Sequence, residues 1–205
     1  MLDNPTPFGP QQAAAGIAFP QDAGTVLLPL ARAAIAQELG RIHPAREDAP
    51  WLKEPGACFV TLHHDEKLRG CVGSLAPQRA LVEDVRANAV AAAFRDPRFT
   101  PLSAEEFDLI DVEVSLLSAI ESLAFRDEED ALALLRPAVD GLILEYGYHR
   151  STFLPQVWES LREPREFLAS LKYKAGLPPD FWNAQVKLSR YTVTKWRESD
   201  LKRVP

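Results

Sequence analysis

Residues 57–75, which read ACFVTLHHDEKLRGCVGSL, contain the pattern that decides the fold class. Two apolar runs, 57–62 and 68–75, flank the polar tetrapeptide 64–67. Apolar runs on either side of a short polar turn are typical of a β-hairpin. Helical periodicity follows directly over residues 78–95, so a hairpin and a helix come in sequence.

The rest of the chain continues to mix strands with helices. Residues 22–39 have helical spacing, and residues 110–116 alternate as a half-buried strand. The other predicted elements are a short helix begun by the capping box of Ser103 and Glu106, a helix after Asp127, a hairpin of residues 141–146 and 151–157 around 147–150, a helix over about 164–175 and a strand over about 185–195. No βα unit repeats, so an α+β fold with a mostly antiparallel sheet is favoured over a doubly wound fold.

The composition is that of an ordinary globular protein. The 205 residues are 46% hydrophobic and 25% charged, which is enough for one sizeable core or two lobes. We expect a flexible proline-rich lead over residues 1–20, a single two-lobed domain over 21–198 and a frayed end over 199–205. The chain shows neither a long apolar span nor a signal-peptide pattern, so we expect a cytoplasmic protein that does not enter a membrane.

Charge and cysteine content restrict the classes of partner and cofactor. The net charge of −6 makes nucleic acid an unfavourable partner for the surface as a whole. Cys58 and Cys71 form no CxxC pattern, so we predict neither a disulfide framework nor a zinc site. His63 and His64 are adjacent and should face opposite ways on a strand, and no metal is predicted. Nucleotide-binding motifs are absent from the sequence, and no cofactor is predicted.

The segment Leu68–Gly73 contains the strongest candidate functional residues. Arg69 and Cys71 are two residues apart on a predicted strand, so they should point to the same face. A guanidinium so close favours thiolate over thiol, which makes a cysteine a nucleophile or a soft ligand. The alternative is structural, with a small buried cysteine, Arg69 paired to a carboxylate, and Gly70 and Gly73 allowing close backbone approach. The sequence leaves both interpretations open.

Two further polar pairs are candidates. Asp96 and Arg98 follow the clearest helix, where they either brace a loop or hold a ligand carboxylate or phosphate through the Arg98 guanidinium. Glu113 and Ser115 should share one face of their strand, which is either solvated or part of a polar cleft. Glu113 is also a candidate carboxylate partner for Arg69, and such a pair would leave Arg69 less free to activate the thiol.

Seven short motifs, in one order along residues 22–197, resemble a known family. They are Leu68–Gly73 (LRGCVG), Ala93–Phe99 (AFRDPRF), Val112–Ser115 (VEVS), Gly141–Ile143 (GLI), Phe153–Val157 (FLPQV), Lys174–Leu177 (KAGL) and Lys187–Tyr191 (KLSRY). With these motifs the chain resembles the AMMECR1 family, protein A of the AmmeMemoRadiSam system. The resemblance implies a compact α+β fold of two lobes with a cleft between them, and it brings no established activity. It also implies a pathway shared with Memo-like and radical-SAM proteins.

Two hypotheses for the function follow. In the first, the protein docks on one of these partners, or holds a small anionic ligand between the lobes through Arg69, Arg98 and Arg150. In the second, it is an enzyme or thiol carrier in which Cys71 is nucleophile or acceptor, Arg69 favours the thiolate, and Glu113 or Asp96 moves a proton. The family motif falls on Arg69, Gly70, Cys71 and Gly73, and these positions are candidates under either hypothesis.

Overall fold

The computed structural model describes residues 19–201, within which the chain forms five α-helices and ten strands. The helices are α1 (Gly24–Glu38), α2 (Leu81–Phe94), α3 (Glu128–Leu134), α4 (Pro164–Lys174) and α5 (Glu198–Leu201). The strands are β1 (Pro55–Gly56), β2 (Cys58–His64), β3 (Lys67–Gly73), β4 (Arg79–Ala80), β5 (Ile110–Leu117), β6 (Glu121–Ser122), β7 (Gly141–Tyr146), β8 (His149–Phe153), β9 (Lys187–Tyr191) and β10 (Val193–Arg197).

Eight of the ten strands form two four-stranded antiparallel sheets, each in its own compact unit, and β1 pairs with β4. Among the described residues, one unit comprises 19–118 with 193–201, and its sheet has the order β10-β5-β2-β3. The other comprises 119–192, with the sheet order β6-β9-β7-β8. The prediction of an α+β fold with mostly antiparallel sheets is therefore confirmed, and the cleft between lobes stays a prediction.

In the first unit, α1 and α2 pack against one face of the sheet. Along β2, Cys58, Val60 and Leu62 are buried in one core with residues of both helices. Thr61 and His63 alternate to the opposite face, because successive side chains of a strand point to opposite sides. We call this opposite side the polar face and define it by Thr61, His63, Cys71, Asp111, Glu113 and Ser115, which belong to β2, β3 and β5.

The predicted first hairpin is present and contains a β-bulge. Asp65 and Glu66 form its turn with φ of 49° and 60°, the left-handed geometry of a two-residue hairpin loop. Leu62 pairs with Gly70, and the next residue of β2 pairs with Leu68, so Arg69 has no partner in β2. The extra residue interrupts the strict alternation along β3.

The C-terminal part of the chain differs from the prediction of one strand over residues 185–195. Two strands are present instead, because β9 pairs in the second sheet and β10 returns to the first. α5 follows, with Glu198 accepting hydrogen bonds from Arg32 Nε at 2.6 Å and from Val112 N at 3.0 Å. Residues 199–201 of the predicted frayed end are thus helical, whereas 202–205, like 1–18 of the predicted lead, lie outside the described residues.

The second unit follows the prediction in most elements. Asp127 caps α3 by accepting from Asp130 N at 2.9 Å, and Gly147 forms the hairpin turn with φ of 57°. The second strand of that hairpin ends at Phe153, earlier than predicted. Pro155–Glu159 forms a 3-10 helix, which suits a proline at its first position.

Candidate functional site

The two cysteines occupy opposite kinds of environment. Cys71 is partly exposed on the edge strand β3, and its Sγ accepts a hydrogen bond from Thr61 Oγ1 at 3.3 Å. Cys58 is fully buried on β2, and burial raises the pKa of its thiol well above the ordinary value. Cys58 therefore has the properties of a structural cysteine, and Cys71 is the thiol that a reagent or ligand can approach.

Asp96 and Arg98 close the free edge of the sheet at Cys71. The buried Asp96 carboxylate accepts from Cys71 N at 2.9 Å, and Arg98 Nη2 donates to Cys71 O at 3.3 Å. Both backbone groups of Cys71 are thus bonded by side chains, as they would be by a further strand. Unpaired edges invite association with other chains, so these contacts also protect the edge.

The two side chains also hold one another. Arg98 donates to both Asp96 oxygens, through Nε at 2.9 Å and Nη2 at 2.7 Å. The hydrogen bond from Arg98 is the largest cause that lowers the pKa of Asp96, and the Cys71 amide adds to it. These contacts correspond to the bracing arrangement considered from the sequence, and ligand binding by Arg98 stays a prediction.

Arg69 is paired with Glu106, not with Glu113, so that prediction of its partner is wrong. Its guanidinium donates from Nε to Glu106 Oε1 at 2.8 Å and from Nη2 to Thr100 O at 2.9 Å. Glu106 in turn accepts from Ser103 N at 2.9 Å, which matches the predicted capping box. The hydrogen bond from Arg69 is the main cause that lowers the pKa of Glu106 to about 2.

The positions of Arg69 and Cys71 differ from the prediction that they share a face. The bulge falls at Arg69, and the side chain makes its hydrogen bonds to the connector between α2 and β5. Cys71 Sγ bonds to Thr61 of β2 instead. Within residues 19–201, no hydrogen bond joins Arg69 to Cys71, and the Arg69 charge is balanced by Glu106.

Both motif glycines permit close packing. A Cβ on Gly70 would lie 2.1 Å from the carbonyl oxygen of Ala92 in α2. A Cβ on Gly73 would lie 2.2 Å from Phe59 Cγ and 2.7 Å from Cys58 O. These distances support the structural interpretation of the two glycines, since no side chain fits at either position without displacing its neighbours.

Glu113 lies on the polar face, and its carboxylate makes few and long polar contacts. Its side chain is only 17% exposed, and its carboxylate oxygens lie 3.5 Å from Ser115 Oγ, 3.7 Å from His63 Nε2 and 4.0 Å from Lys195 Nζ. His63 Nε2 is itself buried and lacks a hydrogen-bond partner among the described residues. The contacts of Glu113 to His63 and Lys195 are therefore too long for hydrogen bonds.

The register aligns three of these residues across adjacent strands. Thr61 of β2 pairs with Cys71 of β3 on one side and with Glu113 of β5 on the other. Cys71 and Glu113 are therefore two strands apart, about 10 Å at the usual strand spacing. This separation is too long for direct proton transfer from the thiol to the carboxylate. Thr61 and His63 also belong to this candidate site on the polar face, although the sequence pattern does not single them out.

A buried polar network beneath the hairpin was missed from the sequence. Asp84 accepts hydrogen bonds from Cys58 N at 2.9 Å, Ser74 Oγ at 2.7 Å, Arg79 Nε at 2.8 Å and Asn88 Nδ2 at 3.0 Å. Asn88, four residues after Asp84 on α2, is buried as well. The sequence signal for this network is the spacing of Asp84 and Asn88, two polar residues four apart on the apolar side of α2.

The described part of the chain contains neither a cluster of metal-ligating side chains nor a membrane-spanning helix. In residues 19–201, no three or more histidine, cysteine, aspartate or glutamate side chains converge on a position for a metal ion. Over the same range, no helix has the combined length and apolar character that crossing a bilayer requires.

Comparisons with known proteins agree on one family. A family model described as AMMECR1 matches residues 28–196. The chain is 41% identical over 180 residues to Protein MJ0810 of Methanocaldococcus jannaschii, covering 85% of this chain and 90% of that protein. It is 38% identical over 187 residues to a protein of Methanothermobacter thermautotrophicus, covering 87% and 95%. The crystal structure of the uncharacterized protein PH0010 from Pyrococcus horikoshii superposes with a TM-score of 0.71 at 36% identity, covering 86% of this chain and 92% of that chain.

Proposed function

Because the chain belongs to the AMMECR1 family, we propose that it is a binding component of a pathway shared with Memo-like and radical-SAM proteins. The polar face is the surface proposed to bind. The family resemblance supports the choice of partners, and the geometry around Glu113 supports the choice of surface.

The observation that carries the proposal is the pair of poorly satisfied groups on this face. The Glu113 carboxylate and His63 Nε2 are largely withdrawn from solvent, yet they lie 3.7 Å apart and are not hydrogen-bonded to each other. Desolvating polar groups whose hydrogen bonds are weak or missing costs free energy, and each such group in a native structure calls for an explanation. A bound group that donates hydrogen bonds to Glu113 would remove this cost.

The remaining charged candidates are paired within the fold. Glu106 neutralises Arg69, although Arg69 Nη1 is buried without a hydrogen-bond partner among the described residues, and Asp96 and Glu145 pair with Arg98 and Arg150. Because these guanidinium charges are balanced, a ligand that donates to Glu113 is favoured over the small anion that the guanidinium groups suggested. The thiol of Cys71 also has no base at hydrogen-bond distance among the described residues, as a self-contained nucleophile would require.

The test is an affinity measurement with the purified Memo-like and radical-SAM proteins of the same organism. Glu113→Gln keeps the size of the side chain and removes its charge, and we expect it to weaken binding to at least one partner about tenfold or more. Glu145→Gln is the matched control, because Glu145 is a strand glutamate of the second unit with an exposed arginine partner. Failure of both partners to bind the wild type, or equal affinities for all three forms, would contradict the proposal.

A second candidate function is thiol chemistry at Cys71, favoured by its partial exposure and by the hydrogen bond from Thr61. Cys71→Ser should then abolish turnover of the reconstituted pathway while partner affinity is retained. Cys58→Ala is the control for loss of a thiol elsewhere in the sheet. Full turnover with Cys71→Ser would exclude this candidate.

A further inference from the structure

Glu113 and His63 face each other on the polar face without a shared proton. Glu113 Oε2 and His63 Nε2 lie 3.7 Å apart, and Nε2 is buried with no hydrogen-bond partner among the described residues. A proton on Nε2 would be shared with the carboxylate at about 2.8 Å, so the wider gap corresponds to a neutral imidazole whose Nε2 is an acceptor. Two acceptors this close to each other are both satisfied by one common donor.

The gap fits a single donor atom that carries at least two hydrogens. A nitrogen about 2.9 Å from each acceptor would have the two acceptors in directions roughly 80° apart, which N–H donors reach with modest bending. A guanidinium prefers to place its fork across both oxygens of one carboxylate. Here Glu113 Oε1 faces Ser115 Oγ at 3.5 Å and Lys195 Nζ at 4.0 Å instead. A compact ammonium group is therefore favoured over a guanidinium.

The charges on the surrounding strands also favour a cation. His63 is paired in register with Asp111 of β5, which accepts from Arg197 Nε at 2.6 Å and from Ser199 N at 3.1 Å. Arg197 also pairs with Glu66 of the hairpin turn at 2.9 Å. The titratable groups around His63 are the carboxylates of Glu66, Asp111 and Glu113, the cations Lys195 and Arg197, and the thiol of Cys71 on β3. The carboxylates outnumber the cations by one, so a further positive charge is attracted.

We propose that Glu113 and neutral His63 form a receptor site for one primary ammonium group, a lysine side chain of the bound partner, and that protonation of His63 closes the site. The inference rests on the proposed function and adds the chemical class of the bound group and its dependence on pH. Protonated His63 is itself a donor. It reaches Glu113 by an approach of about 1 Å, forms a charge-assisted hydrogen bond and repels the ammonium group.

The first experiment uses n-propylammonium chloride as the probe, at constant ionic strength, and follows the backbone amides of β2 and β5 by NMR. n-Propyltrimethylammonium is the matched control ligand, because it has the same charge and no N–H donor. His63→Gln keeps an acceptor without a titrating ring, and Glu113→Gln removes the carboxylate charge. Glu145→Gln and His149→Gln are the control variants, because both residues lie on strands of the second unit.

We expect the wild type to bind n-propylammonium weakly at pH 7.5, with a Kd on the order of 10 mM, and to show no binding of n-propyltrimethylammonium. For an imidazole that titrates near pH 6.5, closure by protonation lowers the affinity about tenfold between pH 7.5 and pH 5.5. His63→Gln should lose less than about twofold over this range. Glu113→Gln should weaken binding at pH 7.5 about tenfold or more, and both control variants should behave as the wild type.

The second experiment repeats the affinity measurement with the purified Memo-like and radical-SAM proteins, before and after reductive dimethylation of their lysines. Dimethylation keeps the lysine charge and leaves a single N–H, which cannot bridge two acceptors. We expect it to weaken binding of the wild type about tenfold and binding of Glu113→Gln by less than about twofold. Partner binding by the wild type should show the same pH dependence as probe binding.

Four results would overturn the inference, and they differ in what they leave standing. Equal affinities for the two probes would show that charge alone acts. Equal pH dependence in the wild type and His63→Gln would show that protonation of His63 does not close the site. If the wild type binds a partner through Glu113 but does not bind n-propylammonium, the ammonium site is refuted and the proposed function stands. If n-propylammonium binds as expected and neither partner does, the proposed function fails and the assignment to a partner lysine fails with it.

Discussion

The packing of the motif strand against α2 makes Gly70→Ala a severe perturbation. The new Cβ would lie 2.1 Å from the carbonyl oxygen of Ala92, where carbon and oxygen normally approach to roughly 3.3–3.6 Å. The obstacle is backbone, so no rotamer change relieves it, and β3 must move from α2 by about 1 Å or more. Overpacking of this kind costs about 3 kcal/mol, since the displaced elements share the core of the first unit.

The assay for Gly70→Ala is urea and thermal unfolding followed by circular dichroism. A loss of about 3 kcal/mol lowers the melting temperature by about 6–12 °C for a chain of this length. Gly40→Ala serves as control, because a Cβ there meets no atom within 4 Å and the substitution acts only through its φ of 68°, at a cost of about 1 kcal/mol. A Gly70→Ala protein no less stable than Gly40→Ala would refute the close-approach argument.

Two other predictions concern carboxylates that are paired within the fold. The pKa of Glu106 is lowered from 4.5 to about 2, so its ionised form stabilises the fold above pH 4.5 and this contribution disappears as the pH falls toward 2. The difference in unfolding free energy between wild type and Glu106→Gln, measured in urea, should therefore be largest near neutral pH, at about 2 kcal/mol. It should shrink below about pH 4.5, and a difference independent of pH would contradict the pairing with Arg69. Asp84→Ala leaves the buried Cys58 amide unpaired and removes one of the acceptors of Asn88, so it should cost about 3 kcal/mol in the same assay. Arg79→Gln alters a partly exposed partner and should cost less than about 1 kcal/mol; equal losses would show that the buried amide partners are unimportant.

The elements that the sequence predicts well are those specified locally. The first hairpin and α2 follow from alternation and helical spacing, which depend on neighbouring residues. The capping box of Ser103 and Glu106 is equally local, and it is present. The local sequence does not indicate that Glu106 also pairs with Arg69. Arg69 lies 37 positions away, and the packing of the connector brings the two side chains together.

The candidate site was harder to predict because it depends on register. A bulge adds one residue to β3 at Arg69, and a shift of one residue reverses which face a side chain occupies. The alignment of Cys71, Thr61 and Glu113 likewise exists only once β2 is paired with both neighbours. A single sequence shows which residues are polar on each strand, but it does not show which of them meet across strands.

Most residues around the motif fix the position of β3, and Cys71 is the residue whose peptide they fix. Gly70 allows contact with α2, Arg69 ties the strand to the connector through Glu106, and Asp96 with Arg98 replaces the missing strand at the edge. These contacts fix the peptide of Cys71 and leave its thiol partly exposed. A group fixed in this way loses little further conformational freedom on binding. The same contacts therefore explain why so many residues of the motif have structural partners, and they would lower the conformational cost of binding at the polar face that is proposed to bind.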